Sequence, residues 1–236
     1  MFEAIVALDV DLSHDLNSFV GSLPSADLLL AIVERNQLFK GAFVMMLFWG
    51  LWFWRRGQAS LTRETLLSTL VAAILAVAVI RVLAAVLPSR LRPIHVPALG
   101  FELGPGNARE MLDGFGSMPS DHAGLFFTMA TGLYLANRTI GLIALAHAAF
   151  IICLPRVYFG LHFVSDVVVG GLIGSAMILL LAPWMTRRLA RTNTVLLSES
   201  HPQFFYPALI FVTWQLAQLF DPLRNLAEGL LDVLAA

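Results

Sequence analysis

A chain of 236 residues that is 58% hydrophobic and 13% charged, with mean hydropathy +0.78, sits far from a soluble domain, where about 25% charge is usual. A net charge of −1 and a pI near 6.6 exclude a nucleic-acid partner held by bulk charge. The single cysteine, Cys153, excludes an internal disulfide.

Apolar bands recur along the chain, and most can cross a hydrocarbon core of about 30 Å; they predict an all-α, polytopic membrane protein with about six transmembrane helices. Residues 1–36 are the exception. Glu3, Asp9, Asp11 and Asp15 interrupt the apolar residues there, so one or two helices at the interface are expected, and no cleavable signal. The first span is expected at Leu38–Trp54, with Phe48–Trp54 as an aromatic belt. Thr65–Leu87 follows, ended by Pro88-Ser89 and then the basic cluster Arg90-Leu91-Arg92-Pro93. From Arg92 to Ser120 runs the longest connection between spans. Pro93, Pro97, Gly100, Gly104, Pro105 and Gly106 break it, and a short helix is expected at Asn107–Asp113; the site residues at both flanks mark it as a lid.

Pro119-Ser120-Asp121-His122 opens the next span, Ser120–Ala136. Ser120 is a good N-cap, and free N–H groups at a helix start make an anion site. His122, just behind the cap, is placed to donate a proton. A carboxylate at Asp121 repels a phosphate unless it turns away, so it is expected to cap the helix or orient an Arg. Ile140–Leu154 carries His147, expected as a packing residue, while His14, His95 and His201 fall in loops or at the interface. Arg156, His162 and Asp166, spaced six and four apart, open the span Phe163–Trp184. If Phe163 onward is helical, His162 and Asp166 lie on one face, and Asp166 accepts from Nδ1–H and leaves Nε2 free as nucleophile or base. Arg156 then holds a phosphate against that nitrogen. Phe204–Phe220 is the last expected span. The chain thus divides into an N-terminal interfacial segment (1–36), a membrane-embedded unit (37–222) and an amphipathic tail (223–236). No His, Cys, Asp or Glu spacing fits a metal site, so neither metal nor other cofactor is expected.

Three clusters in this order resemble the tripartite signature of the type 2 phosphatidic acid phosphatase superfamily, which includes lipid phosphate phosphatases and vanadium haloperoxidases. The third block matches at Arg156, His162 and Asp166, with Pro155 where Ser is usual; the second matches at Pro119, Ser120 and His122, with Asp121 where Gly is usual. The first has Arg92-Pro93, but Ala85 stands where the signature has Lys, leaving Arg81 or Arg90 as the replacement cation. The resemblance implies a small bacterial-type lipid phosphatase working through a phosphohistidine. His162 is then the nucleophile, Asp166 its support and His122 the general acid. Arg92, Arg156, Ser120 and N–H groups near Asp121 form the phosphate cradle, with Arg81 beside it. The implied partners are the bilayer and a lipid phosphate or diphosphate. Polyprenyl (undecaprenyl) diphosphate is favoured over phosphatidylglycerophosphate, phosphatidic acid or lipid A phosphate. A haloperoxidase shares the cradle but needs the Lys. A non-catalytic lipid transporter or scaffold is the alternative of another class.

The raw tally of basic residues does not orient the chain. With Arg81, Arg92 and Arg156 set aside as site residues, the dense pairs Arg55-Arg56 and Arg187-Arg188 favour cytoplasmic joints and an extracytoplasmic site in the cell membrane.

Overall fold

A computed structural model describes residues 2–54, 59–106 and 116–235, and among them all regular structure is helical. α1 (Phe2–Asn17) and α2 (Pro24–Arg35) precede a π-helical turn, Leu38–Ala42, that runs into α3 (Phe43–Trp52). α4 is Ala59–Val86, α5 is Asp121–Ala136 and α6 is Arg138–His147. A second π-helical turn, Ala148–Cys153, joins α6 to α7 (Leu154–Tyr158). α8 (Val164–Arg191), the short α9 (Leu197–Ser200), α10 (Pro202–Ala217) and α11 (Asp221–Ala235) complete the chain. Arg55, Arg56 and the short helix expected at Asn107–Asp113 lie outside the described residues.

The centre is a three-helix packing of α4, α5 and α8. Leu66, Leu70, Ala73 and Val77 of α4 share one buried cluster with Leu125, Phe126, Met129 and Leu133 of α5. Between α5 and α8 the contact is backbone on backbone. A Cβ on Gly170 would come within 2.3 Å of the Ser120 carbonyl oxygen, and one on Gly174 within 2.1 Å of the Gly124 carbonyl oxygen. Small residues allow this approach where apolar burial cannot drive helices together. The crossing has a direct consequence for the site: the Ser120 N–H donates to the Asp166 carbonyl across 3.0 Å, joining two motif clusters.

Outward faces remain apolar. Val71, Ile74, Leu75 and Val79 of α4 and Val168, Leu172, Leu179 and Leu180 of α8 are exposed, which suits hydrocarbon rather than water as solvent. Leu61–Val86, Arg138–Tyr158 and Val164–Arg191 are long and apolar enough to cross a membrane by length and composition. Leu38–Trp52 is a shorter apolar helix, and α5 and α10 have 16 residues each. Start and stop signals set the length of α5: Ser120 caps its beginning, and Asn137 ends it while capping α6 through the Ile140 N–H.

Residues 2–36 form two helices docked by polar side chains on the motif end of the bundle. The Asn17 side chain donates to the carbonyls of Tyr158 (2.8 Å) and Glu102 (3.0 Å) and accepts from the Glu102 N–H (2.7 Å). Asp27 accepts from the Tyr158 hydroxyl and the Gly21 N–H. The start of the long connection, where a lid is expected, is instead wall. Ile94 and Phe101 are buried, the Ile94 N–H donates to the Gly160 carbonyl, and Gly104 lies against the Phe159 ring. Apolar residues in that stretch find core partners.

Candidate active site

One cavity of about 590 Å³ gathers Arg81, Arg92, Asp121, His122, Arg156 and His162 on its walls. Ser120 and Asp166 stand behind it, fully buried. Thus the chain brings together every site residue expected from the three clusters.

The helix behind His162 starts one residue later than expected. α8 begins at Val164 with Phe163 as N-cap, so His162 precedes the helix. Asp166 is at the third helical position and turns back, its Oδ2 accepting the Phe163 N–H at 2.8 Å. The expected bond from His162 Nδ1 to Asp166 is therefore not formed: the two atoms are 3.6 Å apart. Nδ1–H donates to the Ser117 carbonyl instead, at 2.9 Å. The outcome for the ring is the same. Its tautomer is fixed with a lone pair on Nε2, which lies 3.1 Å from Arg92 Nη1 and 3.4 Å from Ser120 Oγ. Burial, aided by the guanidiniums of Arg92 and Arg156 and opposed by Asp166, lowers the His162 pKa below the ordinary imidazole range.

Arg92 is fixed by the Leu161 carbonyl, 2.7 Å from Nη1. Burial first, then Arg156, lowers its pKa to about 10, so it stays charged at neutral pH. Arg156, on α7, donates from Nη2 to His122 Nε2 at 2.9 Å and pairs with Glu34 Oε1 at 3.1 Å. His122 Nδ1 lies 3.0 Å from Asp121 Oδ1. Asp121 thus orients the imidazole while its other oxygen lies 3.8 Å from Arg81 Nη2. A carboxylate at this position is hydrogen-bonded to a neutral imidazole on one side and faces a guanidinium on the other, which lessens the repulsion that its place in the sequence suggests.

Arg81 and Arg90 separate clearly. α4 ends at Val86, before the Pro88 break, and Arg81 reaches the cavity from inside it. Arg90 does not line the cavity. It lies over the Phe163 ring at 3.8 Å and bridges Asp166 Oδ1 (3.0 Å) to Asp9 Oδ2 (2.7 Å). Asp9 also accepts from the Ser165 N–H at 2.8 Å. An N-terminal carboxylate therefore braces the helix start that carries Asp166.

Ser117, Asp9, Glu34 and Lys40 are site residues that the motif reading missed. For Lys40 a signal existed: it is the chain's only lysine, set in an apolar stretch, and ionisable groups there are costly and usually functional. Glu34 and Asp9 carry no such mark. Among the described residues no three His, Cys, Asp or Glu side chains cluster as metal ligands.

A helical bundle with buried imidazoles among arginines at a helix start defines a class. Residues 65–190 match the model of the PAP2 superfamily, more than half of the chain, and the protein belongs to that superfamily. It is similar to the crystal structure described as the first transmembrane PAP2 type phosphatidylglycerolphosphate phosphatase from Bacillus subtilis. Identity is 19%, the alignment covers 77% of this chain and 86% of that one, and the TM-score is 0.52. No curated protein sequence matches the chain.

Proposed function

We propose that the protein is a multi-pass membrane phosphatase that hydrolyses a lipid phosphomonoester or diphosphate through a phosphohistidine, without a metal ion, on the extracytoplasmic face. The observation that carries this reading is His162 Nε2, left unprotonated because Nδ1–H is held by the Ser117 carbonyl, accepting from Arg92 Nη1 at 3.1 Å beside a cavity walled by Arg92 and Arg156. Nε2 attacks phosphorus, forming a P–N bond as the P–O bond to the lipid breaks. His122, protonated, gives its proton to the leaving oxygen. Water then attacks the phosphohistidine, His122 takes a proton from it, and the P–N bond breaks to release phosphate. Arg92 and Arg156 stabilise charge on the transferring group, and the Ser120 hydroxyl adds a donor. In this division of the chain, 37–222 is the phosphatase unit, with 1–36 and the tail 223–236 attached to it.

Undecaprenyl diphosphate is the first substrate to assay, with phosphatidylglycerophosphate beside it because of the Bacillus subtilis likeness. Phosphate release from a panel of lipid phosphates, with EDTA present, tests the reading. A protein that binds these lipids but releases no phosphate would be a transporter or scaffold instead.

A further inference from the structure

Resting on the phosphatase reading, we infer that Lys40 is a phosphate-binding residue of this site, delivering an ammonium to the cavity from the junction of α2 and α3. Lys40 is 4% exposed and lines the same cavity as His122, Arg156 and His162. It sits in the π-helical turn Leu38–Ala42, and such turns insert a residue into a helix and recur at functional sites. The turn is fixed in place: a Cβ on Gly41 would come within 2.1 Å of the Ala217 carbonyl oxygen, so the backbone lies directly on the end of α10. It also packs on the second π-helical turn, which leads into the helix of Arg156.

Charge in the cavity gives the ammonium a purpose. Among the described residues no carboxylate lies within ion-pairing distance of Lys40, because the nearby acids are committed elsewhere. Glu34 pairs with Arg156 at 3.1 Å, and Asp221 with Arg224 at 2.8 Å. A buried ammonium without a partner costs several kcal/mol. Five cations line the cavity, Lys40 with Arg81, Arg92, Arg156 and Arg224, against the three carboxylates Glu34, Asp121 and Asp221. The excess of two positive charges balances the two negative charges of a phosphate monoester dianion. α4 adds Arg81 to this wall with Ile80, Ala84 and Ala85, and the ammonium enters from a different element, the turn before α3.

Because Lys40 is the only lysine, its chemistry can be read directly. Reductive methylation of the detergent-solubilised protein with formaldehyde, followed by peptide mass analysis at residue 40, should slow by about 10-fold or more when orthovanadate is present. Lys40→Met should raise KM for lipid phosphates and weaken vanadate inhibition by about 10- to 100-fold, the worth of a charged hydrogen bond, and Lys40→Arg should recover part of it. If Lys40→Met does not fold, the labelling of the wild type decides. Unchanged labelling, or normal KM and vanadate inhibition in Lys40→Met, overturns the assignment of Lys40 and leaves the phosphatase standing. A wild type that neither releases phosphate nor is affected by vanadate overturns both.

Discussion

Arg156 Nη2 donates to His122 Nε2 across 2.9 Å, the nitrogen that carries the proton to the leaving group in the proposed mechanism. In this arrangement the acid is occupied by the cradle. Phosphate must draw Arg156 away before His122 can be protonated at Nε2, so the anion itself arms the acid. His122→Ala should therefore slow alkyl phosphates far more than aryl phosphates, whose leaving groups need little protonation, by roughly 10²-fold against less than about 10-fold. Equal losses on both substrates would reduce His122 to a positioning role.

His162→Ala should lower turnover by roughly 10³-fold or more while leaving the fold intact. Acid-labile phosphate trapped on the wild type and absent from the variant checks it. Near-normal turnover in the variant would remove His162 as nucleophile.

The lowered pKa of His162 has two pH consequences. The ring is neutral in the folded protein at pH values where the unfolded chain, near 6.5, is already taking up a proton. Stability is thus fully present above about 6.5 and falls as pH drops from there towards the folded pKa. Melting temperature should decline below pH 6.5 in the wild type and decline less in His162→Gln. The acid limb of kcat/KM attributable to the nucleophile should likewise lie below 6.5.

Arg81 and Arg90 should fail differently. Arg81→Ala removes a cavity wall charge and should raise KM by about 10-fold, with little change in melting temperature. Arg90→Ala leaves Asp166 and Asp9 without their shared partner, and breaking a buried pair costs about 3–5 kcal/mol. Its loss should appear in thermal stability and kcat. The reverse pattern would make Arg90 the cradle cation.

At the α5–α8 crossing, Gly170→Ala should cost about 1–3 kcal/mol and most of the activity, because the added methyl parts the Ser120 and Asp166 ends. Retained activity with wild-type melting would show that the crossing has slack.

The motif residues could be read from the sequence because each stands beside a helix boundary with its own local signal. Ser120 precedes an apolar run, and Pro88 ends one. The bonding of the imidazole was less legible. The i, i+4 spacing brings His162 and Asp166 within 3.6 Å, but the Asp166 side chain is used by the Phe163 N–H and the Ser117 carbonyl accepts from Nδ1. Glu34 and Asp9 were invisible for another reason. A carboxylate near the chain start looks like any solvated acid until tertiary docking sets an arginine against it.

That docking reaches into biosynthesis. Asp9, Asn17 and Glu34 emerge from the ribosome before any of their partners in residues 90–166 exist. Until the start of α8 has been made, these polar groups must stay hydrated, and α1 and α2 have no reason to settle. The cavity, walled also by Leu219, Asp221 and Arg224, is therefore completed last of all, when the earliest-made helices have docked and the final ones have been made.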